Sequence, residues 1–554
     1  MKQIATFTYL ALFCLLPFMV CISIFFPFGE MDTVRPAVKF TVGFLCLLVI
    51  LSRTELPGFT QMGRVWKPVA AFFIAMILSD LLAGTLFLSN IAYAIALAII
   101  GALSGNAMKT GKKNVFVLFA FVFQLVALMA AIDYYWGTLL LFDNKAGYAA
   151  LILLTIPIWW AAWNTKHKWQ TIACYTILTA DIAALFGFGL RDAWLAFSIA
   201  FLLTWIYYSK HHDFSKEKSV FIALAIVFGV VVLIYALYFL RPDSANGRMF
   251  IFLCAAKLGA QSPIFGWGTY AILAHYMPVQ ADVLAALPPD SAAAMLADNT
   301  FTAFNLPLDL FARYGILGVS CAGWLVFSLY KEVSRSTNRL NKAAFFALTA
   351  FLVLSLTSYP WFYPSVFALF VMFLGTGCAQ KPCAPSKITK IGLLIAGFFF
   401  IAESIHTLHK ETVWQEADNV VRKEMASEMK HRPELLYNQA AALNEKELYA
   451  ASDSMLQQLS TVLCDYDTEL LRGDNALWSK KAEKAEQHLK EAHRMIPSRF
   501  TPLYGLLQLY SESNVQRADS VALIIQQKVV KIPSQETSRI KAVASDWLKD
   551  RRVE

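Results

Sequence analysis

Charge is what this sequence has least of. Asp, Glu, Lys and Arg make up 16% of the chain, against 57% hydrophobic and 14% aromatic residues, and the mean hydropathy is +0.51. That scarcity excludes an ordinary soluble globule, in which about a quarter of the residues are charged, and describes a polytopic membrane protein. Cysteine offers no framework either: nine residues, an odd number lying mostly in apolar stretches, exclude a disulfide scaffold. Cys254 and Cys464 lie outside the apolar runs and read as free, structural thiols, while Cys378 and Cys383 have no partner His or Cys at metal-ligand spacing. The basic residues form no stripe with interleaved aromatics, so the net charge of +9 does not point to nucleic acid. Nor is there a small-x-small cleavage site after the first apolar run, or an acylation signal around Cys21, so that run reads as a retained signal anchor.

What is present is a succession of about thirteen apolar runs, most near the ~20 residues that cross a bilayer core. They span 5–26, 37–52, 66–88, 91–108, 114–135, 147–163, 171–189, 193–208, 219–240, 308–330, 343–358, 362–378 and 389–405. With the N-terminus in the cytoplasm, Lys109, Lys112, Lys113, Lys166, Lys168, Lys210, Lys216, Lys218, Lys331, Arg335, Arg339, Lys381, Lys387 and Lys390 fall on the inner side. This is the bias that resists translocation of basic loops, and an odd number of crossings then exports the C-terminus. Four regions result: N-terminal membrane helices over 1–240, an external loop over 241–307, C-terminal membrane helices over 308–405 and a polar tail over 412–554. The tail has helical periodicity and no further spanning run. Its segments read as hairpins, 434–443 with 447–459 and 478–495 with 502–512, followed by 517–530. AEKAEQHLKEAHRMIP, ending at Pro497, recurs loosely as RADSVALIIQQKVVKIP, ending at Pro533, a spacing of 36 residues. The tetratricopeptide unit repeats at about 34, so the tail reads as a small helical-repeat domain suited to docking a partner.

The segment from Arg241 to Asn305 is the one long polar-tolerant interruption of the membrane region, and long ordered loops are usually functional. It carries Gly247-Arg248 and the Gly-rich PIFGWG over 263–268. Arg191, in FGFGLRDAWLAF, stands at the end of an apolar run, where a cation is costly unless it is paired or meets an anion. Asp192 beside it offers a local salt bridge. Two arginines on one face suit a diphosphate, because each guanidinium donates a fork of hydrogen bonds and stays charged; singly, each also fits an interfacial anchor. Asp80 and Asp181 lie within apolar runs and read either as functional groups or as structural pairs.

These segments resemble the O-antigen ligase and polymerase superfamily. GLRDAW is similar to its S-R-G/A step, and GRMFIFLCAAKLGAQSPIFGWGTY to its GR-x-x-IW…P-L-x-G-x-G segment. Asn305, nine residues and Gly315-Ile-Leu-Gly318 are similar to its HN-x9-G-x-x-G element. The likeness covers 180–330 in detail and the whole membrane region in topology, and the tail resembles versions that end in a tetratricopeptide-like domain, as in Bacteroidetes. It implies an all-α, GT-C-like transmembrane bundle in the bacterial inner membrane, with N-terminus cytoplasmic and tail periplasmic. It implies a glycosyltransferase that moves a glycan from an undecaprenyl-diphosphate carrier to a lipid A core, protein or glycan acceptor, with neither metal nor other cofactor. Arg191 and Arg248 would hold the carrier diphosphate and act in catalysis.

The chain departs from that pattern at the loop histidine. Phe304 occupies its usual position and Thr302 the place two residues earlier, and neither is a general base near neutral pH. His275 is the one histidine of the external loop and is assigned as a displaced catalytic base, with a tyrosine-flanked interfacial histidine as the alternative. Asn305, Thr302 and Asp298 are supporting candidates, and Asp309 is a further carboxylate within reach. The expected partners are the lipid-linked glycan, its acceptor, membrane lipids and a protein on the repeat domain. Three alternatives stand beside a ligase: a polymerase, a non-catalytic scaffold, and a lipid-linked glycan transporter. Against the last, the two halves show no duplicated pattern of interrupted helices.

Overall fold

The computed structural model describes residues 34–52, 65–110, 113–137, 142, 144–162, 168–209, 242–288, 291–378 and 387–553, and among them every regular element is a helix. In chain order these are α1 (Val34–Ser52), α2 (Trp66–Ala83), α3 (Leu88–Thr110), α4 (Lys113–Trp136), α5 (Lys145–Ala162), α6 (Lys168–Gly187) and α7 (Arg191–Ser209). There follow α8 (Pro242–Gln261), α9 (Ala271–Ala285), α10 (Ala292–Leu296), α11 (Leu306–Val333), α12 (Arg339–Leu354), α13 (Pro364–Cys378) and α14 (Lys387–Glu416). The tail holds α15 (Asn419–Met425), α16 (Pro433–Glu445), α17 (Tyr449–Leu459), α18 (Tyr466–Trp478), α19 (Ala482–Met495), α20 (Thr501–Ser513), α21 (Val515–Gln527) and α22 (Gln535–Val553). The runs expected at 5–26 and 219–240, the basic loop at 210–218, and Lys112, Lys166 and Lys381 lie outside the described residues; each other run falls mainly on one helix, the run 66–88 reaching past Ala83 to Leu88, where the next helix begins.

Three described helices, α2, α11 and α14, are long and apolar enough to cross a membrane, and shorter apolar stretches occupy Leu88–Ser104, Ala120–Trp136, Lys145–Ala161, Thr171–Gly187 and Pro364–Gly375. Large side chains on these helices face outward, among them Ile74, 66% exposed, and Ile388, 82% exposed. Apolar surface at that density is what a lipid-facing helix presents. Between helices the packing relies on small residues. A Cβ on Gly43 of α1 would lie 2.8 Å from the Gly397 carbonyl oxygen of α14, and one on Gly375 of α13 would lie 1.9 Å from the Gly101 oxygen of α3. Backbones approach this closely only where a side chain is missing.

Two buried charged groups of the bundle have polar partners. Asp181 accepts hydrogen bonds from Gln124 at 2.8 Å and Thr155 at 3.1 Å, and Gln124 accepts from the Trp159 indole at 2.7 Å. That is the structural pairing, the second of the two roles open to Asp181. Lys39, fully buried on α1, is ion-paired with Glu403 of α14 and donates to Ser89 of α3 at 3.0 Å, so its charge is cancelled where solvation is poor.

Helix α14 does not stop at residue 405. It runs on to Glu416, where Trp414 enters the core of the tail beside Met429, Leu436 and Leu459. Consecutive tail helices pack in pairs, α16 on α17, α18 on α19 and α20 on α21, with α22 closing on α21. The helices over 433–445 and 449–459, and those over 482–495 and 501–513, pack together as expected, and 466–478 forms an additional helix against 482–495. Asp465 starts it with a capping box, accepting from Thr468 N at 2.9 Å while Asp465 N donates to the Thr468 hydroxyl at 2.8 Å.

The tail is joined to α9. Met277 and Leu284 share a core with Tyr466, Ala492 and Met495. Gln280 donates to the Met495 carbonyl at 2.9 Å, and Cys464 N donates to the Leu273 carbonyl at 2.9 Å. The described residues over 242–307 are thus largely helical, through α8 and α9, and form a platform between the apolar helices and the tail.

Candidate functional site

Two glycine motifs far apart in sequence build the scaffold of the site. Gly315 breaks α11 with φ 61° and ψ −164°, which frees main-chain groups on both sides of the break. The PIFGWG segment fills them. Trp267 N donates to Ala312 O at 3.0 Å and Gly268 N to Arg313 O at 2.8 Å, while Ile316 N donates to Pro263 O at 2.8 Å. Such contact needs glycine: a Cβ on Gly266, where φ is 72°, would sit 2.4 Å from the Arg313 carbonyl, and one on Gly315 would sit 2.2 Å from Ile264 O.

Around this clasp the polar side chains form a chain of hydrogen bonds from Asp80 to Thr302. Asp80 of α2 accepts from Thr269 N at 2.6 Å, from the Thr269 hydroxyl at 2.9 Å and from the Thr85 hydroxyl at 3.1 Å. Arg313 donates to the Thr269 carbonyl and, through Nε, to Asp309 at 2.6 Å. Asp309 also accepts from Ala303 N at 3.3 Å and from Thr302 at 3.4 Å. Thr302, fully buried, is therefore engaged here and holds the loop to α11. Asp80 and Asp309 have their oxygens filled by fixed partners, and their role is to lock α2, the glycine loop and α11 together.

On the other side of the 301–305 turn lies a small cleft. Its walls are Leu190, Asp192 and Ala193 at the start of α7, Arg248 of α8, Phe304, Leu354 at the end of α12 with Ser358 and Tyr359 beyond it, and Asn144, Ala146 and Ala149 at the start of α5. Arg248 Nη1 is ion-paired with Asp192 Oδ2 at 2.5 Å, with both side chains half-buried, and its guanidinium lies 6.0 Å from the Phe304 ring centre. Asp192 thus pairs across 56 positions. It sits in the first turn of α7, where the helix dipole favours negative charge. Phe304 adopts φ 52°, the left-handed region that side-chain-bearing residues rarely enter, and its ring packs edge-on against Tyr359 at 4.9 Å. Asn305 caps α11, accepting from Leu308 N at 3.1 Å and donating to Leu356 O at 2.9 Å, which fixes the turn that presents Phe304.

The sequence candidates are thereby divided. Arg248 lines the cleft, and Arg191 is the first residue of α7, immediately before Asp192. His275 is elsewhere: its ring packs on Trp267 at 4.6 Å, and the Trp267 indole donates to Leu258 O at 3.2 Å. Leu258 lies ten residues along α8 from Arg248, about 15 Å at helical rise. Burial holds the His275 imidazole below its ordinary pKa. Asp298 faces the tail, ion-paired with Arg499 at 3.0 Å and 54% exposed. Sequence reasoning missed the Asp192–Arg248 pair and the aromatic wall of Phe304 and Tyr359. The signal available for the wall was the cluster SYPWFYP over 358–364.

Chemically, the cleft holds a guanidinium beside a helix N-terminus, with a carboxylate occupying the position that an anionic ligand would take. Both features favour phosphate oxygens. Among the described residues no group of three His, Cys, Asp or Glu could hold a metal ion.

Residues 174–323 match the family described as O-antigen ligase. The matched stretch contains Arg191, Asp192, Arg248, the PIFGWG segment, Phe304 and the break at Gly315. No curated protein matches the chain at a significant level. Over these residues the chain is similar to a family of glycan-assembly ligases, and its apolar helices are those of a membrane protein.

Proposed function

We propose that the chain is a lipid-linked oligosaccharide glycosyltransferase of the ligase type. It moves a glycan from an undecaprenyl-diphosphate carrier to an acceptor on the periplasmic face of a bacterial inner membrane. The observation that carries this reading is the cleft itself: Arg248 and the N-terminus of α7 converge there, within the stretch that resembles O-antigen ligases. In glycosyl transfer from a lipid diphosphate, charge builds on the leaving group, and a preorganised cation beside a helix N-terminus stabilises it. Arg248 holds the diphosphate, Arg191 supports it from the preceding position, and Phe304, backed by the buried Tyr359, offers its ring to the first sugar. The chemistry asks for no metal or nucleotide, since the carrier supplies the leaving group.

The tail supports a ligase with a macromolecular acceptor over a polymerase. Its paired helices, read as tetratricopeptide-like, pack directly on α9, so a docked acceptor would be held beside the platform that carries Arg248. The acceptor is lipid A core, a protein or another glycan. The test is transfer by purified protein in liposomes, with carrier-linked glycan and host acceptors supplied. Wild type should release the carrier diphosphate and label an acceptor, and Arg248→Ala should do neither. Glycan flipping across the liposome without transfer would replace this reading with a transporter.

A further inference from the structure

Transfer to a hydroxyl needs a group that takes the hydroxyl proton, and the cleft points to one. We infer that Asp192 is the catalytic base of the transfer, released for that task when the carrier diphosphate takes Arg248 away from it. The inference rests on the transferase reading above.

Three observations converge on Asp192. It is the one carboxylate among the described residues lining the cleft; the other polar side chains there are Asn144, Arg248, Ser358 and Tyr359. Neither an amide nor a hydroxyl, aliphatic or phenolic, accepts a proton near neutral pH, and a guanidinium stays protonated. The remaining candidates nearby are occupied. Asp309 is bound to Arg313, Thr302 and Ala303, Asp80 to Thr269 and Thr85, and Asp298 to Arg499. His275 packs on Trp267, whose indole is bonded to Leu258, ten residues along α8 from Arg248. Finally, the partner of Asp192 is the very group that would hold the diphosphate, at 2.5 Å and half-buried. A diphosphate with two phosphoryl groups competes for the same guanidinium fork. Its arrival frees Asp192 Oδ2 beside the leaving group, in a carboxylate that the first turn of α7 holds in place.

The step balances without a further reactant. The acceptor oxygen forms a bond to the anomeric carbon as its proton passes to Asp192. The bond from that carbon to the diphosphate oxygen breaks, and the electron pair leaves with the diphosphate, whose charge Arg248 offsets. Asp192 then returns its proton to water and pairs with Arg248 again once the carrier departs.

The experiment compares full-length wild type, Asp192→Asn and Asp192→Ala in liposomes, measuring carrier binding, KM for carrier and turnover. Asparagine keeps the shape and removes the proton acceptor, so turnover should fall by about 10²–10⁴-fold. Carrier binding should be retained or tightened, because a competing anion is gone from Arg248. Formate should restore part of the turnover of Asp192→Ala. An Asp192→Asn protein that transfers at the wild-type rate, or that loses carrier binding together with turnover, would leave Asp192 as a counter-ion only and overturn the inference. Both of those results leave the transferase reading standing. Wild type that binds carrier but transfers nothing with any host acceptor removes both.

Discussion

Replacing Gly266 by alanine would set a methyl group 2.4 Å from the carbonyl carbon and oxygen of Arg313, at a residue whose φ is 72°. Holding a side chain in the left-handed region costs roughly 1–2 kcal/mol. Relief of the clash requires the loop to lift from α11, which breaks the bonds from Trp267 N to Ala312 O and from Gly268 N to Arg313 O. At about 0.5–1.5 kcal/mol each, their loss brings the total to roughly 2–5 kcal/mol. Gly323 lies on the same helix and supplies the control, since a Cβ there would meet nothing within 4 Å. Alanine at that position should be neutral or stabilise by up to about 1 kcal/mol through helix propensity. Denaturant titration of the two purified variants in detergent, followed by the monodisperse fraction on size exclusion, reads both signs at once. A Gly266→Ala protein that unfolds no earlier than Gly323→Ala would show that the glycine loop does not depend on its close fit to α11.

Other consequences are accessible to similar measurements. Asp80→Ala leaves Thr269 N and two hydroxyls without their acceptor and should destabilise by about 1–3 kcal/mol in the same titration. Asp298→Ala removes an exposed pair with Arg499; it should change stability by less than about 1 kcal/mol and leave transfer intact, and a loss of turnover would return Asp298 to the site. In the tail, burial pushes the His493 imidazole down to about 4. The unfolded chain protonates this residue first, near pH 6.5, so its contribution to stability is whole above pH 6.5 and is lost as pH falls toward 4. Burial also pushes Asp474 up to about 6, which acts in the opposite sense in that window. The measurement is therefore the difference between wild type and His493→Gln: the wild type should lose more stability between pH 6.5 and 4, and identical profiles would refute the assignment.

The helices of the membrane region were legible because an apolar run near bilayer length has few other folds, and α1 to α7 and α11 to α13 lie where the runs stand. The extent of α14 was not legible, since its last turns are polar and their reason is the burial of Trp414 in the tail. Residues 242–261 and 271–285 read as loop because they lack a spanning run, yet they are helices whose apolar faces meet α11 and the tail. The glycines of PIFGWG and Gly315 stood out individually. That each motif exists to fit the other could not be read, because the break in α11 lies inside an apolar stretch that reads as one continuous helix. For Asp192 the nearest cation in sequence is Arg191, but its partner comes from α8, and pairing of that range depends on how α7 and α8 are set side by side. His275 and Asp298 stand out by residue type, but nothing local tells that the first packs on Trp267 or that the second pairs with Arg499 of the tail.

Receipt of the carrier diphosphate by the Arg248 cleft is open to direct test. Its most direct measurement is binding of undecaprenyl-diphosphate glycan to purified protein, with Arg248→Ala compared against Arg499→Ala, whose arginine serves the tail. Wild type and Arg499→Ala should bind the carrier and release it to excess inorganic pyrophosphate, while Arg248→Ala should lose about 10-fold or more in affinity, since a charge-assisted bond to phosphate is worth about 1.5–3 kcal/mol. Equal binding by all three proteins would place the diphosphate away from this cleft.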